Sequence, residues 1–221
     1  TGQTARYDGQ KQYAKDRNPK DKLLSFGRCL AHFTGDKNEI YFTTKLAGEK
    51  DTYFMPFNQV LPNGKGAGNP VNPCGYKTSY LWEWVLQKDT VADIIMNYAC
   101  FDYGEAKTGK KVAHIMKNAK KLIFPRFHQL DVVTRLLADV SEKGVGERYL
   151  IQHSAGSGKS NSLTWLAYQV INVCPQTMNA KRAKGLNEKL FNSAIVVTDR
   201  RLLDRQISDN IKAFGQSEDI I

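Results

Sequence analysis

The 221-residue chain has few cysteines, and they show no recognisable arrangement. Cys29, Cys74, Cys100 and Cys174 are scattered, without a C-x-x-C pair or a histidine cluster nearby. Zinc sites and disulfide frameworks both need suitably spaced thiols, so neither is indicated. We therefore expect reduced thiols with structural roles in a cytoplasm.

The sequence also lacks a long apolar run. No stretch approaches the length of a membrane span, and the start, TGQTARYDGQKQYAKDRNPKD, lacks the apolar centre of a signal peptide. We therefore predict no contact with a membrane. The first residue is Thr1 rather than methionine, which we interpret as the mark of a piece of a longer protein.

Charge of one sign dominates. Lysine and arginine number 32 against 22 acidic residues, giving a net charge of +10, which favours a polyanionic partner. The densest basic run is formed by Lys107, Lys110, Lys111, Lys117, Lys120 and Lys121. A run of this kind serves either as a solvated linker or as a nucleic-acid contact, and the pattern does not decide between them.

The most informative segment is ERYLIQHSAGSGKSNSLTWLAYQV, residues 147–170, which predicts a strand, a glycine-containing loop and a helix in succession. Gly156 and Gly158 would let the backbone approach an anion closely, at the positive end of the following helix. Lys159 would reach the β- and γ-phosphates of a nucleotide, and Ser160 would bind Mg²⁺. The alternative is a flexible basic loop that caps a helix and carries a surface lysine.

Helices and strands alternate from residue 122 onward. We predict a helix over 129–140, a strand near 148–152, the loop, a helix to about residue 172, a strand at 193–198 and a final helix. Such alternation is typical of an α/β fold with a parallel sheet, whose ligand lies at the carboxyl ends of the strands.

The earlier part of the chain is less regular. We predict a short helix within residues 1–21, a hairpin of 23–33 with 39–46, and a long loop between residues 57 and 76. Two helices follow, the second beginning at Val91 with Asp89 or Thr90 as its cap.

Two further groups of residues carry possible chemistry. A glutamine amide such as that of Gln129 both donates and accepts, so it can pair with adenine, although it could equally be an ordinary polar residue at a helix start. Arg200 and Arg201 would lie on the first turn of a helix capped by Asp199 and grip a nucleic-acid phosphate. Their alternative is a surface ion pair with Asp199 or Asp204.

Taken together, these motifs resemble the restriction subunit of type I restriction enzymes, a superfamily 2 DNA translocase fused to a nuclease. The resemblance rests on QYAKDRNPKD and LLSFGRCLAHF, on GYKTSYLWEWVLQKDTVADII, and on IFPRFHQLDVV, HSAGSGKSNSLTWLA and VVTDRRLLDRQI. It implies a nuclease tail at 1–46, a mainly helical linker at 47–121, and the first part of a RecA-like motor lobe with a P-loop at 122–221.

The resemblance also implies roles for particular residues. ATP and Mg²⁺ would be the cofactors, with Lys159 and Ser160 as catalytic residues and Ser160 as the metal ligand through the nucleotide. The nucleotide-binding residues would be Arg126, Gln129, His153, Ser154, Ala155, Gly156, Ser157, Gly158, Lys159 and Ser160. The DNA-binding residues would be Thr198, Arg200 and Arg201.

The implied activity is ATP-driven translocation of double-stranded DNA followed by cleavage, in a prokaryotic cytoplasm, with methyltransferase and specificity subunits as partners. The nuclease metal ligands would precede residue 1, and the acidic box and arginine finger of the motor would follow residue 221. Gln3 with Tyr7, or Gly9 with Tyr13, would align with a family glutamine–tyrosine pair. Rival functions are a superfamily 2 helicase without a nuclease and an ATP-binding module that does not hydrolyse ATP.

Overall fold

The structure, a computed structural model, describes residues 2–62, 66, 68–102, 121–198, 207 and 211. The chain divides into two compact units, Thr1–His128 and Gln129–Ile221. Both units contain fully buried apolar side chains, including Phe57 in the first and Trp165 in the second. The fold is mixed α/β, and all of its described strand pairs are antiparallel.

The first unit contains a three-stranded antiparallel sheet. Strands β1 (His32–Gly35), β2 (Ile40–Thr43) and β3 (Met55–Pro56) lie in sequence order. The turn between β1 and β2 is held by the Asp36 carboxylate, which accepts the backbone N–H groups of Asn38 and Glu39 at 2.7 and 3.0 Å. Such a side-chain-capped turn brings the two strands back against each other.

The predicted hairpin is therefore present, but its strands are shorter than predicted. Most of the segment 23–31 forms turns instead of strand. Asp21 provides the reason, because its carboxylate accepts the N–H of Leu23 and its carbonyl accepts those of Leu24 and Ser25. Local hydrogen bonds of this kind compete with a β-ladder for the same backbone groups.

Helical segments of the first unit lie before and after this sheet. Ala5–Gly9 and Gln12–Asp16 are short π-helical turns, in the region where we predicted a short helix. A third π-helical turn, Leu81–Val85, precedes helix α1 (Lys88–Asn97). The prediction that this helix begins at Val91 is wrong, because Gln87 already accepts the N–H of Val91 through its carbonyl at 2.9 Å.

A second sheet was not predicted. Strands β4 (Cys100–Asp102) and β5 (Lys121–Ile123) pair antiparallel, and Lys121 forms an ion pair with Asp102 at 3.0 Å. Residues 103–120, which include all of the basic run except Lys121, lie outside the described residues.

The core of the first unit is a cluster of aromatic rings around Phe57, which is fully buried. The ring centroid of Phe57 lies 5.3 Å from that of Phe33, 5.5 Å from that of Phe42 and 5.9 Å from that of Phe127, all edge to face. The Tyr80 hydroxyl donates to the Phe57 carbonyl at 2.6 Å. Aromatic pairs in this geometry add to the stabilisation that burial provides.

The second unit is built on two helices, α2 (Phe127–Lys143), which begins just before the boundary, and α3 (Lys159–Val170). Both are predicted by the sequence. Gly144 ends α2 at φ +81°, and Lys181 then donates its N–H to the Lys143 carbonyl at 2.9 Å. A Cβ on Gly144 would lie 2.3 Å from the Lys181 backbone, so only glycine fits this close approach.

The predicted parallel sheet does not form within the described residues. Segments 148–152 and 193–198 have no regular secondary structure and no ladder partner there. Their apolar side chains are uncovered, since Leu150 is 95% exposed, Ile195 87% and Val197 86%. An apolar run becomes a strand only when a neighbouring strand takes its backbone hydrogen bonds and a helix covers its face. Among the residues that the structure describes, neither condition is met.

No helix among the described residues is long and apolar enough to cross a membrane. The longest, α2, carries charged residues along its length, including Asp131, Arg135 and Asp139.

We expect replacement of Phe57 by alanine to destabilise the first unit by about 3–5 kcal/mol, because it removes a buried ring and leaves a cavity among its neighbours. Tyr53→Ala is the control, since Tyr53 is 74% exposed and its loss should change the free energy of unfolding by less than about 0.5 kcal/mol. Urea unfolding of the two variants measures the difference. Equal effects would contradict the aromatic core.

Candidate nucleotide-binding site

The segment 153–158 forms a tight turn directly before α3. Gly156 and Gly158 have φ values of +71° and +80°, in the left-handed region that favours glycine. Ser157 donates its N–H to the Ser154 carbonyl at 3.4 Å, which closes the turn. The two glycines of the motif thus lie where the backbone requires them.

The two glycines differ in their surroundings. A Cβ added to Gly156 would meet nothing within 4 Å, whereas one added to Gly158 would lie 2.5 Å from the side-chain nitrogen of Gln129. A side chain at Gly158 would therefore displace the Gln129 amide, in addition to straining the backbone.

Lys159, the first residue of α3, turns its side chain back over the loop. Its ammonium donates to the carbonyls of His153 and Ser154, at 3.2 and 2.9 Å. An ammonium has three N–H donors, so these contacts use two of them. The residue is exposed, which leaves the charged group accessible from solvent at the loop.

His153 lies at the start of the loop and is half-buried. Burial lowers its pKa below the usual 6.5, and the nearby positive charge of Lys159 lowers it further. The imidazole is therefore neutral at pH 7, which leaves Lys159 as the cation of the loop.

Gln129, in the first turns of α2, is only 3% exposed. Its side-chain nitrogen donates to the carbonyls of Ser157 and Gly158, at 3.3 and 2.9 Å. Because carbonyl oxygens only accept, the amide nitrogen must be the atom that faces them. The adenine-pairing role predicted for Gln129 would require this amide to leave the loop.

The start of α3 offers further donors. The N–H groups of Gly158, Lys159 and Ser160 find no backbone acceptor among the described residues, as is usual at a helix N-terminus. These dipoles and the helix dipole both favour an anion at this position.

Ser160 is the predicted Mg²⁺ ligand. It is half-buried, and its carbonyl accepts from the Thr164 hydroxyl at 2.9 Å within α3. A single hydroxyl fits Mg²⁺ that takes its remaining ligands from phosphate and water, as this ion commonly does. Among the described residues, no three His, Cys, Asp or Glu side chains come together as a metal-binding group.

An apolar groove of about 310 Å³ adjoins the loop. Val132 and Leu136 of α2 and Leu166 of α3 line it, and Lys159 and Ser160 lie on its wall as well. The loop is therefore exposed to solvent at Lys159 and adjoins the apolar side chains of this groove.

The other predicted site residues are not gathered here. In the first unit, the Arg126 guanidinium lies 3.4 Å from the Met55 sulfur. Thr198 is half-buried in a segment without regular secondary structure, while Arg200 and Arg201 lie outside the described residues.

The alternative positions for the family's glutamine–tyrosine pair lie in the first unit. Tyr7 is 70% exposed. Tyr13 instead packs against His32 and Phe54, with ring centroids 5.5 and 6.1 Å apart.

Sequence reasoning missed the contact between Gln129 and the loop. The two are separated by 28 and 29 residues, and the contact is tertiary, so no local pattern signals it.

In comparisons with known proteins, no family model, no curated protein and no solved structure matches this chain.

We expect His153 to lower the stability of the protein as the pH falls below about 6.5. Since the pKa of His153 is lower in the folded state, the unfolded chain binds more protons in the range between that lowered pKa and about 6.5. Stability is therefore greatest above this range and declines through it. Thermal unfolding at about pH 7.5 and about pH 5.5, for the wild type and His153→Gln, measures the effect.

The variant should lose less stability than the wild type over this interval. The variant should still lose the stability that depends on His32, because burial lowers the pKa of His32 as well. An equal loss in both proteins would contradict the assignment to His153.

Proposed function

We propose that the loop 153–160 binds the triphosphate of ATP. The observation that supports this most directly is the placement of the Lys159 ammonium, 3.2 and 2.9 Å from two loop carbonyls, at the start of a helix whose first N–H groups find no backbone acceptor among the described residues. Left-handed glycines, an accessible ammonium and a helix N-terminus together favour a polyanion over any other ligand.

In this proposal each residue has a distinct task. Lys159 would exchange a carbonyl for phosphate oxygens, and the N–H groups of Gly158, Lys159 and Ser160 would donate to the same anion. Ser160 would supply a hydroxyl to Mg²⁺. When bound, Mg²⁺ neutralises phosphate charge and polarises the bond to the terminal phosphate.

We further propose that the chain contributes this site to an ATP-driven translocase and nuclease of the type I restriction kind. This step rests on the motifs and their order, with double-stranded DNA and the modification and specificity subunits as partners. It requires a RecA-like lobe in which segments 148–152 and 193–198 pair as strands. The described residues do not contain this pairing, which would cover the exposed side chains of Leu150, Ile195 and Val197 and contribute about 1.5–3 kcal/mol for each.

The rival functions share the nucleotide site, so ATP binding alone does not distinguish them. A helicase without a nuclease would move along DNA without cutting it, and a binding module would do neither. The comparison that separates the three is ATP-dependent translocation and cleavage of unmodified DNA by the full-length subunit with its partner subunits.

We expect Lys159→Ala to weaken ATP binding by about tenfold to a hundredfold, because a hydrogen bond to a charged group is worth about 1.5–3 kcal/mol. Equilibrium dialysis of the 221-residue chain with Mg²⁺ and labelled ATP measures this.

Lys189→Ala is the matched control. It removes an exposed lysine that contacts only Asn172 among the hydrogen-bond partners described, at 2.6 Å. It should leave ATP binding unchanged. Equal affinities for the wild type and Lys159→Ala, or no binding by the wild type, would refute the proposed site.

A further inference from the structure

The Gln129 side chain contacts the loop backbone at the two peptide units on which phosphate binding would depend. Its nitrogen donates to the Ser157 carbonyl at 3.3 Å and to the Gly158 carbonyl at 2.9 Å. One primary amide has two N–H donors, so a single side chain restrains two successive peptide planes.

Because the peptide unit is planar, a restraint on a carbonyl also fixes the direction of the N–H in the same peptide unit. In a trans peptide, the carbonyl and the following N–H point in opposite directions. The Ser157 carbonyl and the Gly158 N–H belong to one peptide unit. The Gly158 carbonyl and the Lys159 N–H belong to the next. The Gly158 carbonyl also accepts the N–H groups of Asn161 and Ser162, at 3.0 and 3.4 Å, so the helix and Gln129 orient the Lys159 N–H together. The Ser157 carbonyl is held by Gln129, which directs the Gly158 N–H away from this side chain.

Burial and packing fix the amide in this place. Gln129 is 3% exposed, and the Gly158 backbone approaches so closely that an added Cβ would lie 2.5 Å from the amide nitrogen. A base arriving from solvent would not reach this nitrogen unless the loop first moved away.

We infer that Gln129 is a positioning residue for the phosphates, which orients the N–H groups of Gly158 and Lys159 toward the anion, rather than a reader of the base. This inference rests on the proposed function, since it concerns the same loop. It predicts that loss of the amide lowers the affinity for every triphosphate ligand. The decrease should be the same for ligands with different bases and for a ligand without a base.

The test compares ATP, GTP and inorganic tripolyphosphate on the complete 221-residue chain, by calorimetry with Mg²⁺. Gln129→Met keeps the length of the side chain and removes the donors without burying a charge. We expect it to weaken all three ligands by the same factor, about tenfold for the loss of two buried hydrogen bonds. Gln176→Ala, which removes an exposed amide elsewhere in the second unit, should leave all three unchanged.

The outcomes separate the two claims. If Gln129→Met lowers the affinity for ATP while the affinity for tripolyphosphate is unchanged, Gln129 contacts the base and the inference is overturned. Unchanged binding of all three ligands overturns it as well. If the wild type binds neither ATP nor tripolyphosphate, the proposed function fails, and the inference fails with it.

A folding defect in Gln129→Met would show in its thermal unfolding. In that case Gln129→Asn carries the same comparison, because it keeps the amide but is one methylene too short to reach both carbonyls.

Discussion

The loop before α3 is held by two side chains that act on different carbonyls. Gln129 holds those of Ser157 and Gly158, and Lys159 holds those of His153 and Ser154. Backbone polar groups in a turn need partners, and here the partners are a neutral amide on one side and a cation on the other. The N–H groups of Gly158, Lys159 and Ser160 have no backbone acceptor among the described residues, which makes this end of the loop suited to an anion.

The glycines are a consequence of the same constraint. The loop adopts left-handed φ values at Gly156 and Gly158, and at Gly158 the contact with Gln129 leaves no room for a side chain. A larger residue there would separate the amide from the backbone it restrains. The first unit has a separate basis for stability, since its aromatic rings pack around Phe57.

The sequence predicts those features that depend on local pattern. The helices at Phe127–Lys143 and Lys159–Val170 follow from apolar periodicity, and the positive φ values at Gly156 and Gly158 lie where the glycine motif requires them. The hairpin of β1 and β2 was also predicted, although Asp21 replaces its outer part with turns through local hydrogen bonds.

Features that depend on distant partners could not be predicted in this way. Segments 148–152 and 193–198 have strand-like composition, but a strand needs a neighbouring strand and a covered face. Within the described part of the chain neither segment has a strand partner, and Leu150 and Ile195 are exposed. Strands β4 and β5 pair although residues 103–120 separate them in the sequence. The intervening residues have no strand-like pattern, so no local signal indicates that the two segments meet. The contact of Gln129 with the loop is likewise tertiary.

The proposed function requires that this loop present its N–H groups to a triphosphate. The most direct measurement is a titration of ¹⁵N-labelled protein with tripolyphosphate and with ATP, in which the backbone amide signals are followed by NMR. We expect the amide signals of Gly158, Lys159 and Ser160 to shift together with both ligands. Amide shifts that lie elsewhere in the chain, or none at these residues at saturating ligand, would contradict it.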